Sequence, residues 1–327
     1  MKALVTGATG FIGSHMTQAL LKRGWEVVCP VRDLSSLRHL RGIPARIIPL
    51  TQVGSELGKD RGFDYVIHLA GATRARDYAG YRRANVESTR LLLEYLSKPA
   101  ANSSLKRFVL VSSQAACGPS PDDGTPITES DPLCPVSLYG RSKREAEEVA
   151  LSFKEQVPIT IIRPPAVFGP GDADVLSVFK CARYRLAPCL AGRDRMVSLI
   201  YVEDLVDGII TAALTLKSRG EIYFLANPEP VVWRKFVLEV ARVAGYRAVT
   251  LRVPLFLMYV AALTGDLVGK VRKIPPLIRS EKLEEMKQVA WVCSSEKARR
   301  DLRWRAGTPL EVAIEKTLEW YRQHAWI

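Results

Sequence analysis

The sequence predicts an α/β fold in which a doubly wound parallel sheet is joined to a smaller C-terminal lobe. Two observations lead to this prediction. Short apolar runs suited to strands alternate with amphipathic helical stretches through the first two hundred residues. After about residue 226 this alternation fades into helices and short strands, which indicates a separate lobe.

The elements follow from the apolar runs and the periodic segments between them. The strand candidates are residues 2–6, 26–31, 45–50, 64–70, 107–112, 159–163 and 198–202. The main helix candidates are residues 13–23, 81–97 and 137–153. Ligands of such sheets bind beyond the carboxyl ends of the strands, so we expect a site at that edge.

A glycine-rich turn connects the first strand to the first helix. Gly7, Gly10 and Gly13 are spaced three apart directly after residues 2–6. Such glycines allow a tight bend and a close approach to a pyrophosphate, whose charge the helix N-terminus favours. We therefore predict a Rossmann-type dinucleotide-binding domain at residues 1–165, with 197–225 returning to it. Residues 166–327 are expected to form mainly a substrate-binding lobe.

Composition limits the remaining possibilities. The chain has 327 residues, of which 47% are hydrophobic, and no apolar run reaches the ~18 residues of a membrane span. A strand that begins at residue 2 leaves no room for a signal peptide. Six scattered cysteines and four histidines show no metal-binding spacing, so we expect reduced thiols, a cytoplasmic location and no metal.

The net charge of +13 favours anionic partners. Basic residues crowd the second half, for example at Arg183, Arg185, Arg193 and Arg195. An anionic or amphipathic small-molecule substrate or an acidic lipid surface would suit this charge. The alternative is a solvated basic surface that binds no partner. Nucleic acid is not expected, since no recognition motif accompanies the charge.

Tyr139 and Lys143 form the most informative chemical pair. Residues four apart lie on one helix face, so the phenol and the ammonium are neighbours. A free phenol titrates near 10, and a nearby ammonium favours the phenolate. We therefore expect Lys143 to lower the pKa of Tyr139 toward the operating pH.

With these motifs in place, the chain resembles the extended short-chain dehydrogenase/reductases, in the NAD-dependent epimerase/dehydratase family. Residues 64–71, 109–113, 163–171 and 200–204 match further segments of that family. The resemblance implies Ser113, Tyr139 and Lys143 as catalytic residues. The cofactor-binding residues that it implies are Gly7, Thr9, Gly10, Phe11, Ile12, Gly13, Arg32, Asp33, Leu69, Ala70, Gly71, Asn85, Val111, Tyr139, Lys143, Pro164 and Val167. His68 is interpreted as a packed strand residue.

The end of the second predicted strand bears on the choice of cofactor. Val31 occupies the slot in which sugar-nucleotide epimerases of the family usually carry an acidic residue. Arg32 follows, with Arg38 a turn later, and Arg32 resembles the residue that grips a 2′-phosphate in the family's reductases. Asp33 could instead turn toward the ribose, so NADP(H) is favoured and NAD remains the alternative.

Three functions fit the resemblance. The first is an NAD(P)-dependent oxidoreductase that interconverts a secondary alcohol and a ketone. Gln114 and Ala115 replace the acidic pair of dehydratases, and Val197 and Ser198 replace the Arg-Asp pair of many epimerases. A nucleotide-sugar 4-epimerase with tightly bound NAD is the second, and a non-catalytic NAD(P)-binding protein is the third. The apolar residues 254–263 would form a buried core helix, line an apolar pocket or rest on a membrane.

The resemblance also implies a homodimer built from the helices at 81–97 and 137–153. Apolar side chains at helical spacing would supply the interface: Leu91, Leu92, Tyr95, Ala146, Val149 and Ala150. Part of this surface is needed to cover the sheet.

Overall fold

A computed structural model describes residues 1–34, 37, 40–57, 62–98, 104–260 and 280–327 of the chain. The strands are β1 (Lys2–Thr6), β2 (Glu26–Val31), β3 (Arg46–Pro49), β4 (Tyr65–His68), β5 (Arg107–Val111), β6 (Ile159–Arg163), β7 (Ala166–Phe168), β8 (Leu186–Leu190), β9 (Met196–Val197), β10 (Leu199–Tyr201), β11 (Ile222–Phe224), β12 (Val231–Val232), β13 (Val249–Val253) and β14 (Ala290–Trp291). The α-helices are α1 (Phe11–Lys22), α2 (Val53–Leu57), α3 (Tyr78–Tyr81), α4 (Ser88–Leu96), α5 (Leu138–Ser152), α6 (Leu176–Arg183), α7 (Val202–Leu214), α8 (Trp233–Val243), α9 (Ser280–Lys287), α10 (Glu296–Leu302) and α11 (Leu310–Gln323), and residues 255–260 are also helical.

Seven parallel strands form the main sheet, in the order β11-β6-β5-β4-β1-β2-β3. The strand order reverses between β1 and β4, which opens a crevice at their carboxyl ends. Helices cover both faces, so the inner strands are buried along their whole length, as β5 and β6 illustrate. The predicted Rossmann-type fold class is confirmed.

Two cores flank this sheet. On one face, α1 and α7 pack against the strands through residues such as Met16, Leu20 and Ile209. On the other face, α4 and α5 contribute Leu93 and Ala150. Helices α1 and α5 begin and end within two residues of the predicted helices 13–23 and 137–153, because their apolar positions repeat at the helical period. The predicted helix 81–97 is divided into a π-helical segment, Arg82–Glu87, and α4, and α7 was not predicted.

One strand prediction is wrong in its pairing. Residues 199–201 do form a strand, β10, but it pairs with β7 in a separate two-stranded sheet. The seventh position of the main sheet is taken by β11, whose Tyr223 and Phe224 are fully buried beside β6. The short apolar run of β10 specifies a buried strand but not its neighbour.

A third core lies among the helices and short strands that follow β6, the segment that we refer to as the C-terminal lobe. Phe168, Phe179, Phe236, Ile314 and Tyr321 meet in it, contributed by β7, α6, α8 and α11. Short sheets of two and three strands join these helices: β7 with β10, β8 with β13, and β12 with β9 and β14. Within the described residues, no helix is both long and apolar enough to cross a membrane.

The structure bears on two of the predicted apolar surfaces. Residues 254–260 are not a buried core helix, since the side chains of Phe256 and Val260 are 64% and 54% exposed. Residues 261–263 lie outside the described residues, as does Arg38. Of the side chains proposed for a dimer, only Leu91 is largely exposed, whereas the other leucine, the alanines and the valine are buried, and all of these except Ala146 belong to the core against the sheet. Most of the surface proposed for a dimer is therefore buried within the chain itself.

Candidate active site

The glycine-rich turn lies at the carboxyl end of β1, beside the crevice. Gly7 has a positive φ of 72°, and the Gly10 amide donates to the Gly7 carbonyl at 2.9 Å. A Cβ on Gly13 would lie 2.1 Å from the Gly7 carbonyl oxygen, so only glycine allows α1 to pack this close to β1. Gly10 precedes α1 without a side-chain cap, and the first turn carries no acidic residue. The first N–H groups of α1 therefore suit an anion.

The residues around these glycines form the rest of this loop. Thr9 is half-buried at the turn. Phe11 and Ile12, the first residues of α1, pack against the core of the C-terminal lobe. Ile12 and Val167 each contact both that core and the core beneath α1. The loop is thus held at the junction of the sheet and the lobe.

The segment after β4 forms the second wall of the crevice. A Cβ on Gly7 would lie 2.6 Å from the Ala70 amide nitrogen, which shows how closely Leu69 and Ala70 approach the glycine turn. A Cβ on Gly71 would lie 2.7 Å from the Asn85 side-chain oxygen and 3.7 Å from the Lys143 Nζ. Gly71 is itself exposed, so the space above it is open to a ligand.

Asn85 ties this wall to α5. It lies in a π-helical segment, Arg82–Glu87, a distortion that is frequent at functional sites. Its Oδ1 accepts from the Ala72 amide at 2.7 Å, and its Nδ2 donates to the Ser142 hydroxyl at 2.8 Å. The buried amide is therefore satisfied within the protein and fixes the position of the loop after β4.

Lys143 is held under the site by the end of β5. Its Nζ donates to the Val111 carbonyl at 2.9 Å, and the residue is only 7% exposed. Burial lowers the pKa of Lys143 to about 8, although the carboxylate of Glu147 acts in the opposite direction. Glu147 in turn makes a buried ion pair with Arg163 at 2.6 Å. The ammonium is thus positioned by a backbone carbonyl beneath the crevice.

Ser113 and Tyr139 are neighbours, since the Ser113 hydroxyl acts to lower the pKa of the Tyr139 phenol. Ser113 follows the end of β5 by two residues and caps the following turn, since its hydroxyl accepts from the Ala115 amide at 3.1 Å. Tyr139 begins α5, which Ser137 caps by accepting from the Gly140 amide at 3.0 Å. The structure therefore brings the serine, the tyrosine and the lysine of the predicted set to one end of β5 and α5.

The expected lowering of the Tyr139 pKa is wrong for the folded chain. Burial is the main cause and raises the pKa of Tyr139, because the charged phenolate is poorly solvated there. The Ser113 hydrogen bond lowers it, while Glu285, Tyr81 and Asp174 raise it further. The phenol consequently keeps its proton at neutral pH.

His68 is a packed strand residue, as predicted. Its ring nitrogens lie 2.7 Å from the Thr6 hydroxyl and 3.1 Å from the Thr89 hydroxyl, and the side chain is buried. Burial lowers the pKa of His68 to about 3, and the nearby Lys143 charge acts in the same direction. The neutral ring connects β1, β4 and α4.

The remaining predicted residues lie around the crevice. Pro164 is buried next to β6, and its carbonyl accepts from the Gln114 amide at 2.8 Å. Arg32 and Asp33 follow β2 directly and are both exposed, whereas Val31 is buried. The two charged side chains thus lie at the carboxyl end of the strand beside β1, where a cofactor's ribose is expected.

Three residues that the sequence analysis missed reach the same site. Tyr81 has its ring 6.2 Å from the ring of Tyr139. Asp174, in the loop before α6, pairs with Arg74 after β4, which joins the two sides of the cleft. Glu285 of α9 accepts from the Ser137 hydroxyl at 2.7 Å. No local motif marks these residues, since only tertiary packing brings them to Tyr139.

Among the described residues, no three histidine, cysteine, aspartate or glutamate side chains cluster in a way that could hold a metal ion.

Comparisons with known proteins agree with this arrangement. The family model described as "NAD dependent epimerase/dehydratase family" matches residues 3–226. The ceramide reductase of Caulobacter vibrioides is 28% identical over 331 residues, which cover 99% of this chain and 95% of that protein. The UDP-glucose 4-epimerase of Vibrio cholerae is 28% identical over 284 residues, which cover 82% of each.

A solved structure shows the same fold. It is the UDP-glucuronic acid 4-epimerase of Bacillus cereus in complex with NAD, with a TM-score of 0.78, 21% identity and 99% of each chain covered. The predicted resemblance is thereby confirmed. This chain belongs to the NAD-dependent epimerase/dehydratase family of enzymes.

Proposed function

We propose that the protein is an NAD(P)H-dependent reductase that converts a ketone on an apolar molecule to a secondary alcohol, with Ser113, Tyr139 and Lys143 as its catalytic residues. The observation that carries the proposal is that Ser113 and Tyr139 come together at the carboxyl end of β5, next to the buried Lys143. Family membership by itself leaves open whether the reaction is a net reduction or an epimerisation.

The cofactor would be held by the residues of the crevice. The N-terminus of α1, which has no side-chain cap, suits the pyrophosphate. Gly7 and Gly13, where a Cβ would clash with backbone atoms, keep the turn beside it tight. Leu69, Ala70, Gly71, Asn85, Val111, Pro164 and Val167 would line the rest of its binding site. When bound, the nicotinamide supplies reversible two-electron exchange with a substrate carbon.

Side chains of the protein would donate the proton to the substrate and stabilise the charge that develops during the reaction. Tyr139, kept neutral by its raised pKa, would donate its phenolic proton to the carbonyl oxygen. Ser113 would hydrogen-bond the same oxygen and hold it in line. Lys143 would bind the cofactor's ribose, and its charge would stabilise the phenolate that forms. A phenol that is protonated at rest suits reduction, where an acid is needed first.

The proposal of an apolar substrate rests on one relative of the chain and on the sequence and charge of the C-terminal lobe. The ceramide reductase of C. vibrioides matches the chain from end to end, and its name denotes a lipid substrate. Val197 and Ser198 depart from the Arg-Asp pair of many sugar-nucleotide epimerases. A lipid-like, amphipathic ketone fits both facts and agrees with the basic charge of the lobe.

We further propose NADP(H) as the preferred cofactor. Arg32 is exposed directly after β2. The position before it, where an acidic residue would repel a 2′-phosphate, is occupied by Val31. A guanidinium there would pair with a 2′-phosphate through charge-assisted hydrogen bonds. Asp33 is the residue that would favour NAD instead. The two-lobe division at about residue 165, a homodimer and a cytoplasmic location also remain proposals, and the exposed Leu91 is the main support for the dimer.

The test is turnover with defined substrates. Purified enzyme would be given NADPH or NADH with either a long-chain ketone or a UDP-sugar, and product formation would be followed by mass spectrometry. Net consumption of NADPH with the ketone supports the proposal. The alternative, a UDP-sugar 4-epimerase, has support from the V. cholerae relative and would interconvert the sugars on NAD that stays bound through purification. A protein that binds cofactor without either turnover would be the non-catalytic alternative.

A further inference from the structure

An exposed apolar surface lies on the C-terminal lobe, on one face of the sheet formed by β8 and β13. The parallel register sets Leu186 beside Val249 and Pro188 beside Leu251. Val249 is 72% exposed, whereas Ala187 and Cys189 on the opposite face of β8 are buried in the lobe. We define the apolar patch as Tyr184, Leu186, Val249, Leu251, Phe256, Leu257 and Val260, all of them exposed.

The segments that build the apolar patch carry charge of one sign only. Residues 180–193 and 242–260 contain seven basic residues and no acidic residue. Two of the basic residues pair with acidic side chains from elsewhere in the chain, Arg193 with Asp122 and Arg242 with Glu239 and Glu311. Lys180, Arg183, Arg185 and Arg247 are exposed around the apolar side chains. The surface therefore combines bulky apolar groups with a basic rim.

We propose that the apolar patch docks the protein onto an anionic phospholipid surface. Apolar and aromatic side chains insert at the boundary of headgroups and acyl chains, while arginines pair with lipid phosphates. Several exposed bulky apolar groups are otherwise a liability for a protein in water. A second copy of the chain is a poorer occupant, because the same arginines would then face each other at a net charge of +13 per chain.

The helical residues 255–260, which carry part of the apolar patch, are linked to the candidate active site through α9. The Lys287 ammonium lies 5.0 Å from the ring of Tyr259, so the helical residues 255–260 pack against α9. Glu285, on the same helix α9, accepts the hydrogen bond from Ser137 at the start of α5. Docking would therefore engage a segment that packs against α9, the helix that contacts the start of α5. Membrane binding itself requires no turnover, so this inference stands apart from the proposed reductase activity.

The experiment is cosedimentation of the full chain with vesicles. We compare vesicles of phosphatidylcholine mixed with phosphatidylglycerol against phosphatidylcholine alone, at low and at raised salt. We expect binding to the anionic vesicles and its loss at high salt. Leu251→Glu and Phe256→Glu should each weaken this binding by about tenfold or more, because each replaces inserted apolar area with a repelled charge. Arg183→Glu and Arg247→Glu should each weaken it by about fivefold or more, since each basic residue near the surface contributes about 1 kcal/mol.

Two controls match these variants. Leu216 is 88% exposed but lies in the turn after α7, so Leu216→Glu should bind vesicles as the wild type does. Lys154→Glu, at an exposed position after α5, controls for net charge. All the substituted side chains are exposed, and thermal unfolding would verify that each variant folds.

Three results would overturn the proposal. The first is equal binding to neutral and anionic vesicles, and the second is unchanged binding by both glutamate variants of the apolar patch. The third is self-association in the absence of lipid that Phe256→Glu abolishes, which would assign the surface to a second copy. Turnover of a water-soluble ketone by Phe256→Glu would be the same as in the wild type, which separates this question from the catalytic one.

Discussion

The two walls of the cleft are built in different ways. On the sheet side, Lys143 and Asn85 are buried, and each is held by backbone atoms, the first by Val111 and the second by Ala72. On the lobe side, Asp174 and Glu285 reach the cleft through side-chain contacts with Arg74 and Ser137. Hydrogen bonds to backbone atoms fix a buried side chain in one position. Contacts between partly exposed side chains can be broken or replaced at a small cost in free energy.

This difference suits a division of labour. The sheet side carries the residues proposed for proton transfer and cofactor binding, whose distances must be fixed for any substrate. Beneath them, the buried pair of Arg163 and Glu147 adds rigidity, since removing one partner of such a pair costs about 3–5 kcal/mol. The lobe side is where relatives with one chemistry can differ in substrate. Substitutions on the two sides should therefore affect different measurements.

The largest effect is expected at Tyr139, on the sheet side. Tyr139→Phe removes only the phenolic hydroxyl and should lower kcat by about 10²–10⁴, the usual contribution of a general acid. Cofactor affinity should be unchanged. Lys143→Ala should lower kcat and also weaken cofactor binding, because the ammonium is proposed to serve both. Steady-state kinetics of ketone reduction and calorimetric titration of the cofactor measure the two quantities.

Tyr81 offers a matched control for this experiment. Its ring lies beside that of Tyr139, but its hydroxyl donates to the Thr73 carbonyl at 3.3 Å. Tyr81→Phe should therefore retain most of the turnover. Near-normal activity in Tyr139→Phe would show that the proposed acid is the wrong residue.

A second large effect is expected at Gly13. An alanine Cβ would lie 2.1 Å from the Gly7 carbonyl oxygen, so α1 must move away from β1. Gly13→Ala should weaken both NADPH and NADH by on the order of a hundredfold, or ~2.7 kcal/mol. Gly307→Ala is the control, because a Cβ at Gly307 meets nothing within 4 Å. If a folded Gly13→Ala protein bound both cofactors normally in calorimetry, the glycine turn would have a structural role alone.

A selective effect is expected at Arg32. Arg32→Ala should weaken NADP(H) far more than NAD(H), by ~1.5–3 kcal/mol for hydrogen bonds to a charged group. That loss corresponds to about tenfold to a hundredfold in Kd. Arg41→Ala removes another exposed arginine and should change neither Kd. Equal weakening of both cofactors would mean that Arg32 only packs near the adenine. A wild type that prefers NAD would point to Asp33 as the selector and would favour the epimerase.

The same contrast explains what could be predicted from the sequence. The glycine turn and the pair of Tyr139 and Lys143 are local patterns, because each depends on the spacing within one turn or one helix. The pairing of β10 with β7 was not predictable, since any buried strand offers the same apolar run. Nor was the raised pKa of Tyr139, because it depends on burial and on Asp174 and Glu285, which lie far along the chain. The residues of the sheet side can be predicted from local sequence patterns, whereas those of the lobe side depend on tertiary packing.

The smallest and most specific effect is expected at Glu285. Its carboxylate raises the pKa of Tyr139, because a negative charge nearby disfavours the phenolate. Glu285→Gln keeps an acceptor for the Ser137 hydroxyl but removes the charge, so the pKa of Tyr139 should fall. In the alcohol-oxidising direction, where the phenolate is the base, the rising limb of the kcat/KM profile should move to lower pH. Turnover in ketone reduction at neutral pH should change by less than about tenfold, since one partly exposed charge contributes about 1 kcal/mol or less.

The other groups that face Tyr139 must be held constant in this comparison: Ser113, Tyr81, Asp174 and the neighbouring Lys143. Glu284→Gln is the matched control, because Glu284 precedes Glu285 on α9 and pairs with Lys287. Its pH profile should coincide with that of the wild type. If the profile of Glu285→Gln also coincides, the carboxylate only fastens the lobe to the start of α5. If it shifts as expected, the lobe side adjusts the acidity of a residue that the sheet side holds in place.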